Sequence, residues 1–200
     1  MPDTIDYSFI GDREGGSKTE GYVPALSISN SGVTIATGFD LGCRNEADLN
    51  NLQLPKTLVD KLKPYLGKIS QEAKKFLEKQ PLTMTIAEAN AIDKAIKKSQ
   101  VDMLKSKYFA ATENITKKDF FELPSQAQTV IASVSFQYGD LEKSAPNFWK
   151  TVTAQKWKET IDVLRDFGDV YKTRRNLEAD KLQELIDDKA KTDFASTPDK

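Results

Sequence analysis

The stretch from Gln126 to Tyr138 leaves this chain the least freedom. Val130, Ile131, Ala132, Val134 and Phe136 point to nearly every side of a helix there. Such a helix is stable only when other elements cover it all round. It is therefore expected at the centre of a helical core, capped by Ser125 and stopped by Gly139. Further helices are expected around it: one beginning at Pro55 and running to about Leu66, one over 70–79, and a long one towards Tyr108. Thr85-Ile86-Ala87-Glu88 has the form of a capping box that opens the long helix. Pro146-Asn147-Phe148-Trp149 starts the next, followed by helices over 157–167 and from Tyr171 to about Lys189. Phe136, Trp149 and Trp157 fall at helical spacing and are expected in the core. The polar end from Thr192 onward is expected to be a disordered tail.

Near the N-terminus the period changes. Tyr22 to Ser29 and Val33 to Phe39 are rich in β-branched and apolar residues and flank the turn sequence Asn30-Ser31-Gly32. The pattern predicts a β-hairpin with Val33 and Ile35 on one face and Thr34 and Ala36 on the other. Gly38 and Gly42 bracket Phe39-Asp40-Leu41 and permit a sharp change of direction. Before it, a short helix over Ile5 to Arg13 stops at Gly15-Gly16. Glu14 then sits at the helix C-terminus, where the dipole disfavours an anion.

Absences narrow the chemistry. The chain has no histidine, so Ser-His-Asp and Cys-His catalysis and His-ligated zinc are excluded. Cys43 is the sole cysteine; without a base partner it is expected to be a buried structural thiol. Hydrolytic chemistry must then rest on carboxylates, hydroxyls, Lys or Arg, and two-carboxylate glycoside hydrolysis needs nothing else. No metal or cofactor is implied. A net charge of −1 gives no field for nucleic acid or anionic membrane. No apolar run approaches the roughly 20 residues of a membrane span, and the first residues lack the pattern of a secretory signal.

Glu14 and Asp40 suit the two carboxylate roles: one gives a proton to the leaving oxygen, the other activates water or stabilises charge on the sugar. Thr34 offers a hydroxyl to fix that water, and Glu20 is the reserve second carboxylate. Plainer roles stand beside these. A Glu before Gly-Gly is often a surface residue, and an Asp in a Gly-x-Asp-x-Gly turn is often an Asx-turn residue.

The segment Ser31-Gly32-Val33-Thr34-Ile35-Ala36-Thr37-Gly38-Phe39-Asp40-Leu41-Gly42, preceded by Glu14-Gly15-Gly16, resembles the pesticin-type muramidase domain, a bacterial toxin relative of phage-type lysozymes. Gln128 to Gly139, with its Phe136-Gln137-Tyr138-Gly139 ending, is similar to that family's central helix. Gln155-Lys156-Trp157 and Thr173-Arg174-Arg175-Asn176 resemble its closing helices more weakly. The resemblance spans roughly residues 8–182. It places the family's Glu, Thr and Asp on Glu14, Thr34 and Asp40. It also implies an Arg, Arg174 or Arg175, that orients Glu14, and a substrate-binding or orienting place for Gln137. In the wider phage-lysozyme pattern the Asp precedes the Thr; that position here is Ile28, and the carboxylate follows Thr34 instead.

The expected fold is thus α+β and mostly helical, lysozyme-like. A single catalytic domain over 1–191 is expected, with a small β-hairpin lobe over about 14–45 and a larger helical lobe over about 46–191. The resemblance implies a monomeric peptidoglycan hydrolase acting on glycan strands with inversion, as an antibacterial toxin or phage lysin. It would be made in the cytoplasm and act in the periplasm after delivery or release. A toxin implies an immunity protein in the producing cell. A catalytically lapsed peptidoglycan-binding module, an assembly module and a lytic transglycosylase or chitinase remain open alternatives.

Overall fold

The computed structural model of the chain describes residues 3–11, 16–24 and 30–195, with side chains through residue 188. In chain order the elements are α1 (Tyr7–Gly11), β1 (Lys18–Tyr22), β2 (Thr34–Ala36), β3 (Phe39–Asp40), α2 (Glu46–Asn51), α3 (Lys56–Leu62), α4 (Ser70–Lys79) and α5 (Ile86–Ala110). They continue with α6 (Ser125–Tyr138), α7 (Leu141–Ser144), α8 (Pro146–Thr153), α9 (Trp157–Arg165) and α10 (Lys172–Ala195). Short 3-10 turns at Lys63–Tyr65 and Phe120–Glu122 extend α3 and precede α6. The chain is α+β and mostly helical, with one antiparallel sheet ordered β1-β2-β3 among the described residues.

Two units divide the chain, one of residues 1–13 and 100–200, the other of residues 14–99. The division falls inside α5 and not at residue 45. The reason is packing: Leu49 of α2, Leu58, Val59 and Leu62 of α3 and Ala73 of α4 bury in the same cluster as Val33, Ile35, Phe39 and Leu41. The hairpin alone has too little apolar surface to form a core, and these helices supply the rest.

The other unit is built round α6, where Ala127 through Ser135 are all buried. Val130, Ile131, Ala132 and Val134 join Tyr108, Phe120, Phe148, Trp149, Leu164 and Leu182 in one cluster, against which Phe136 and Trp157 pack partly buried. The two polar residues at the start of α6 are used as anchors. Gln128 Oε1 accepts from Thr4 N at 3.1 Å, its Nε2 donates to Leu123 O at 2.8 Å, and Thr129 Oγ1 accepts from Asp6 N at 2.9 Å. Ser125 is not the cap: Pro124 holds that position without a side-chain bond, and the Ser125 hydroxyl donates to Gln126. Gly139 ends the helix at a positive φ of 69°. The Thr85–Glu88 capping box forms as the sequence predicts, with Glu88 N donating to Thr85 Oγ1 at 3.1 Å and Thr85 N to Glu88 Oε2 at 2.8 Å. Helix α10 continues to Ala195, into the expected tail.

The hairpin differs from its expected form. The strand paired with β2 is Lys18–Tyr22, in the register Lys18↔Ala36 and Tyr22↔Thr34. Of the expected first strand, residues 25–29 lie outside the described residues. The expected second strand breaks at Thr37-Gly38 and returns as β3, pairing Thr34 with Asp40 and Ile35 with Phe39. Gly38 permits the reversal at a φ of 83°, a left-handed value that glycine takes at little cost. The outer edge of β1 is covered in turn: Gly21 N donates to Leu82 O at 2.8 Å and Met84 N to Thr19 O at 2.7 Å.

Charge is also buried in the α6 unit. Arg175 and Glu178 of α10 are 1% and 0% exposed, and Arg175 Nη1 donates to Glu178 Oε2 at 2.5 Å. Arg174 donates through Nε to Glu178 Oε1 at 3.2 Å and through Nη2 to Ser133 O at 3.0 Å. Arg175 Nη2 donates to Gln137 Oε1, and its Nε lies 3.1 Å from Asp169 Oδ2, an ion pair without hydrogen-bond alignment. Burial pushes the Glu178 carboxyl up, outweighing Arg175, Ser133 and Arg174, which favour its charged form.

Tyr138 donates to Asp169 Oδ2 at 2.6 Å. Burial first, then that bond, pushes its phenol up to about 12 from 10.0. The fold therefore favours the neutral phenol. Its contribution is complete below pH 10 and is lost as pH rises towards 12. Tyr138→Phe is expected to lose less stability than the wild type over that window in urea titrations at stepped pH. Equal slopes would refute the coupling.

Candidate active site

Asp40 stands at the end of β3, and the local backbone explains how it is held. Leu41 N donates to Val33 O at 2.9 Å, which draws the two arms of the hairpin together beyond the turn. Gly32 and Gly42 then approach so closely that no side chain fits between them. A Cβ on Gly32 would lie 2.4 Å from both Gly42 Cα and Lys68 O, and one on Gly42 would lie 2.6 Å from Gly32 Cα. This approach brings two amides onto one carboxylate oxygen. Gly32 N and Gly42 N donate to Asp40 Oδ1 at 2.9 and 2.8 Å. Among the described residues nothing bonds Asp40 Oδ2, and the side chain is half-buried.

Thr34 is the cross-strand partner of Asp40. Directly opposed residues in an antiparallel pair share a face, with Cβ atoms about 4.5–5.5 Å apart. Thr34 is 3% exposed and its hydroxyl donates to Gly32 O at 3.3 Å, so the hydroxyl and the Asp40 carboxylate both rest on the same glycine. Ile35 and Phe39 point to the other face and bury in the core. Among the described residues the arrangement presents one unbonded carboxylate oxygen, its partner oxygen fixed by backbone, on the same face as a hydroxyl. Chemically it can accept a proton from water or stabilise a developing cation.

The turn itself is held from outside the sheet. Thr37 N and Thr37 Oγ1 donate to the two carboxylate oxygens of Asp93 on α5, each at 2.9 Å. The strand pattern carried no sign of this residue, because the partner is 56 positions away.

Of the other residues singled out in the sequence, Glu14 lies outside the described residues. Glu20 is exposed on β1. Gln137 accepts from Arg175, leaving its Nε2 without an acceptor among the described residues. Arg174 is engaged by Glu178 and Ser133. Cys43 is exposed and not buried, because it sits in the turn after β3, where its thiol contacts Asp40 O at 3.7 Å. No cluster of His, Cys, Asp and Glu that could hold a metal occurs among the described residues, and no described helix is long and apolar enough to cross a membrane.

A helical core and a small antiparallel sheet with a backbone-held carboxylate at its hairpin are consistent with a lysozyme-like α+β fold. The chain belongs to the Pesticin family, described as a bacterial toxin homologue of phage lysozyme, C-term, whose model matches residues 4–158. That family is of the lysozyme-like, peptidoglycan-hydrolase kind. No curated protein matches the chain. The matched stretch includes Glu14, Gly32, Thr34, Asp40, Gly42 and Gln137 and ends within α9, before α10.

The close approach of the two glycines yields a direct expectation. Gly42→Ala places a Cβ against backbone that cannot rotate away, at 2.6 to 2.8 Å, and overpacking of this kind costs about 1–3 kcal/mol. Chemical denaturation should register that loss, whereas Gly11→Ala, whose Cβ meets nothing within 4 Å, serves as the contrast. A Gly42→Ala protein as stable as wild type would refute the packing constraint.

Proposed function

We propose that the protein is a muramidase that hydrolyses the β-1,4 bond between N-acetylmuramic acid and N-acetylglucosamine in peptidoglycan. Glu14 protonates the leaving oxygen, and Asp40 takes the proton of the attacking water, which Thr34 helps to orient. The observation that carries this reading is Asp40 itself: one oxygen fixed by the Gly32 and Gly42 amides, the other unbonded among the described residues, opposite Thr34. Gln137, its carbonyl oxygen occupied by Arg175, offers its Nε2 to a substrate carbonyl. Arg174 orients neighbouring groups, and Glu20 is the alternative second carboxylate. A water-activating Thr beside Asp40 suits inversion better than a glycosyl–enzyme ester. The toxin description of the family supports an antibacterial role on cell-wall glycan; a toxin of this kind would in turn require an immunity protein in the producing cell.

A second reading has its own support. The Gly42 amide bond to Asp40 Oδ1 also describes an Asx-type turn, and the Thr34 hydroxyl is already donated to Gly32 O. On that reading the chain binds peptidoglycan without cleaving it. Mass spectrometry of fragments released from purified peptidoglycan separates the two. Reducing N-acetylmuramic acid ends support the muramidase, anhydro ends mark a transglycosylase, and binding without release leaves a binding module. NMR of the first product should show the α-anomer, and initial β-anomer would overturn the water-activation role.

A further inference from the structure

We infer that Asp93 is a positioning residue for the Thr34–Asp40 pair, holding the turn between β2 and β3 so that the two side chains stay in register. The inference rests on the muramidase reading. Only Ala36, Thr37 and Gly38 separate the paired Ile35 and Phe39. The turn is not relaxed by itself, since Ala36 is 1% exposed and carries a φ of 52°. A non-glycine residue in that left-handed region persists only where its surroundings impose it. Ala36 is held on one side by its pairing with Lys18 and its place in the core, and on the other by Asp93, which accepts from both the amide and the hydroxyl of Thr37 at 2.9 Å. Asp93 is in turn fixed by its helix: Ala89 and Ile92, both 0% exposed, bury in the cluster that holds Ile35 and Phe39.

The consequence is specific to register. Pairing register decides which face a strand side chain occupies. With the Leu41 to Val33 bond still in place, loss of the Asp93 anchor would loosen the turn and shift Thr34 against Asp40, and Gly42 against the Asp40 oxygen, by up to about an ångström. Asparagine at 93 keeps an oxygen for the Thr37 amide and turns an N–H to the Thr37 hydroxyl oxygen, so it should substitute well. Alanine keeps neither bond.

Kinetics on soluble, uncrosslinked glycan strands test this. Asp93→Ala is expected to lower kcat about 10–100-fold, the scale of a sub-ångström to ångström misplacement, with KM little changed. Asp93→Asn should recover most of it, and Thr37→Val should lose an intermediate amount. The Gly32 and Gly42 amide resonances should move in Asp93→Ala and Thr37→Val but stay in place in Leu104→Ala, a core variant of the other unit. Full activity in Asp93→Ala, or unmoved glycine amides, would overturn the proposal. If Asp93→Ala does not fold, Thr37→Val decides by the same two readouts. Wild-type protein that leaves the glycan strands uncleaved would defeat the muramidase reading instead, while the amide resonances still report whether Asp93 holds the turn.

Discussion

Asparagine at position 40 is expected to leave the fold intact and to lower turnover on purified peptidoglycan by at least about 100-fold, the scale of a lost general base. The substitution separates the two roles that Asp40 can hold. An asparagine carbonyl oxygen accepts the Gly32 and Gly42 amides as the carboxylate oxygen does, so an Asx-type turn survives it. The amide group that replaces Oδ2 cannot take a proton from water. If Asp40 only shapes the turn, the variant is as active as the wild type. If it performs the chemistry, the variant is folded and nearly inert. Turbidity loss of sacculi, read beside the thermal unfolding curve, distinguishes these. A folded, fully active Asp40→Asn would remove Asp40 from the mechanism and make Glu20→Gln the next variant to measure.

Arg175→Leu should have the largest effect on stability. Arg175 is 1% exposed and touches Glu178, Gln137 and Asp169, so leucine leaves Oε2 of a carboxylate that is 0% exposed without a partner, while Arg174 and Ser133 still hold Oε1. Removing one partner of a buried pair costs about 3–5 kcal/mol, a large share of the roughly 5–15 kcal/mol that holds a domain together. At about 2–4 °C per kcal/mol for a chain of this size, the melting temperature should fall by roughly 6–20 °C. Arg174→Ala should cost less, because its side chain is 13% exposed and the Glu178 partner Arg175 remains. Near-wild-type melting of Arg175→Leu would show that the pair repays no more than its own desolvation. Because Arg175 also donates to Gln137, the same variant frees the Gln137 amide, linking α10 to the end of the central helix.

Parts of this design are readable along the chain. The burial of α6 follows from apolar side chains on all its faces. The Thr85–Glu88 cap follows from spacing within one helical turn, and Gly38, Asp40 and Gly42 stand out as a glycine-bracketed carboxylate. Where the local signal was ambiguous, expectation and structure part. Ser125 was the better cap by type, but Pro124 takes the position. The run from Val33 to Phe39 has strand composition throughout, yet Gly38 and the distant Asp93 turn it back on itself. Cys43 has the type of a buried residue, but its place in the turn leaves it exposed.

Sequence alone determined the helical class, the centre of the core, the absence of imidazole chemistry and the two glycines round Asp40, because each depends on residue type or on spacings of a few positions. Tertiary structure decided which strand pairs with β2, that Thr34 and Asp40 face each other, that Asp93 holds their turn, and that Arg175 and Glu178 meet inside the helical unit. The Asp93 and Gln137–Arg175 contacts join residues 56 and 38 positions apart. Their formation depends on which apolar faces pack together. A hydrogen bond or ion pair of this kind is worth forming only after that packing has excluded water from it, so no local pattern announces it.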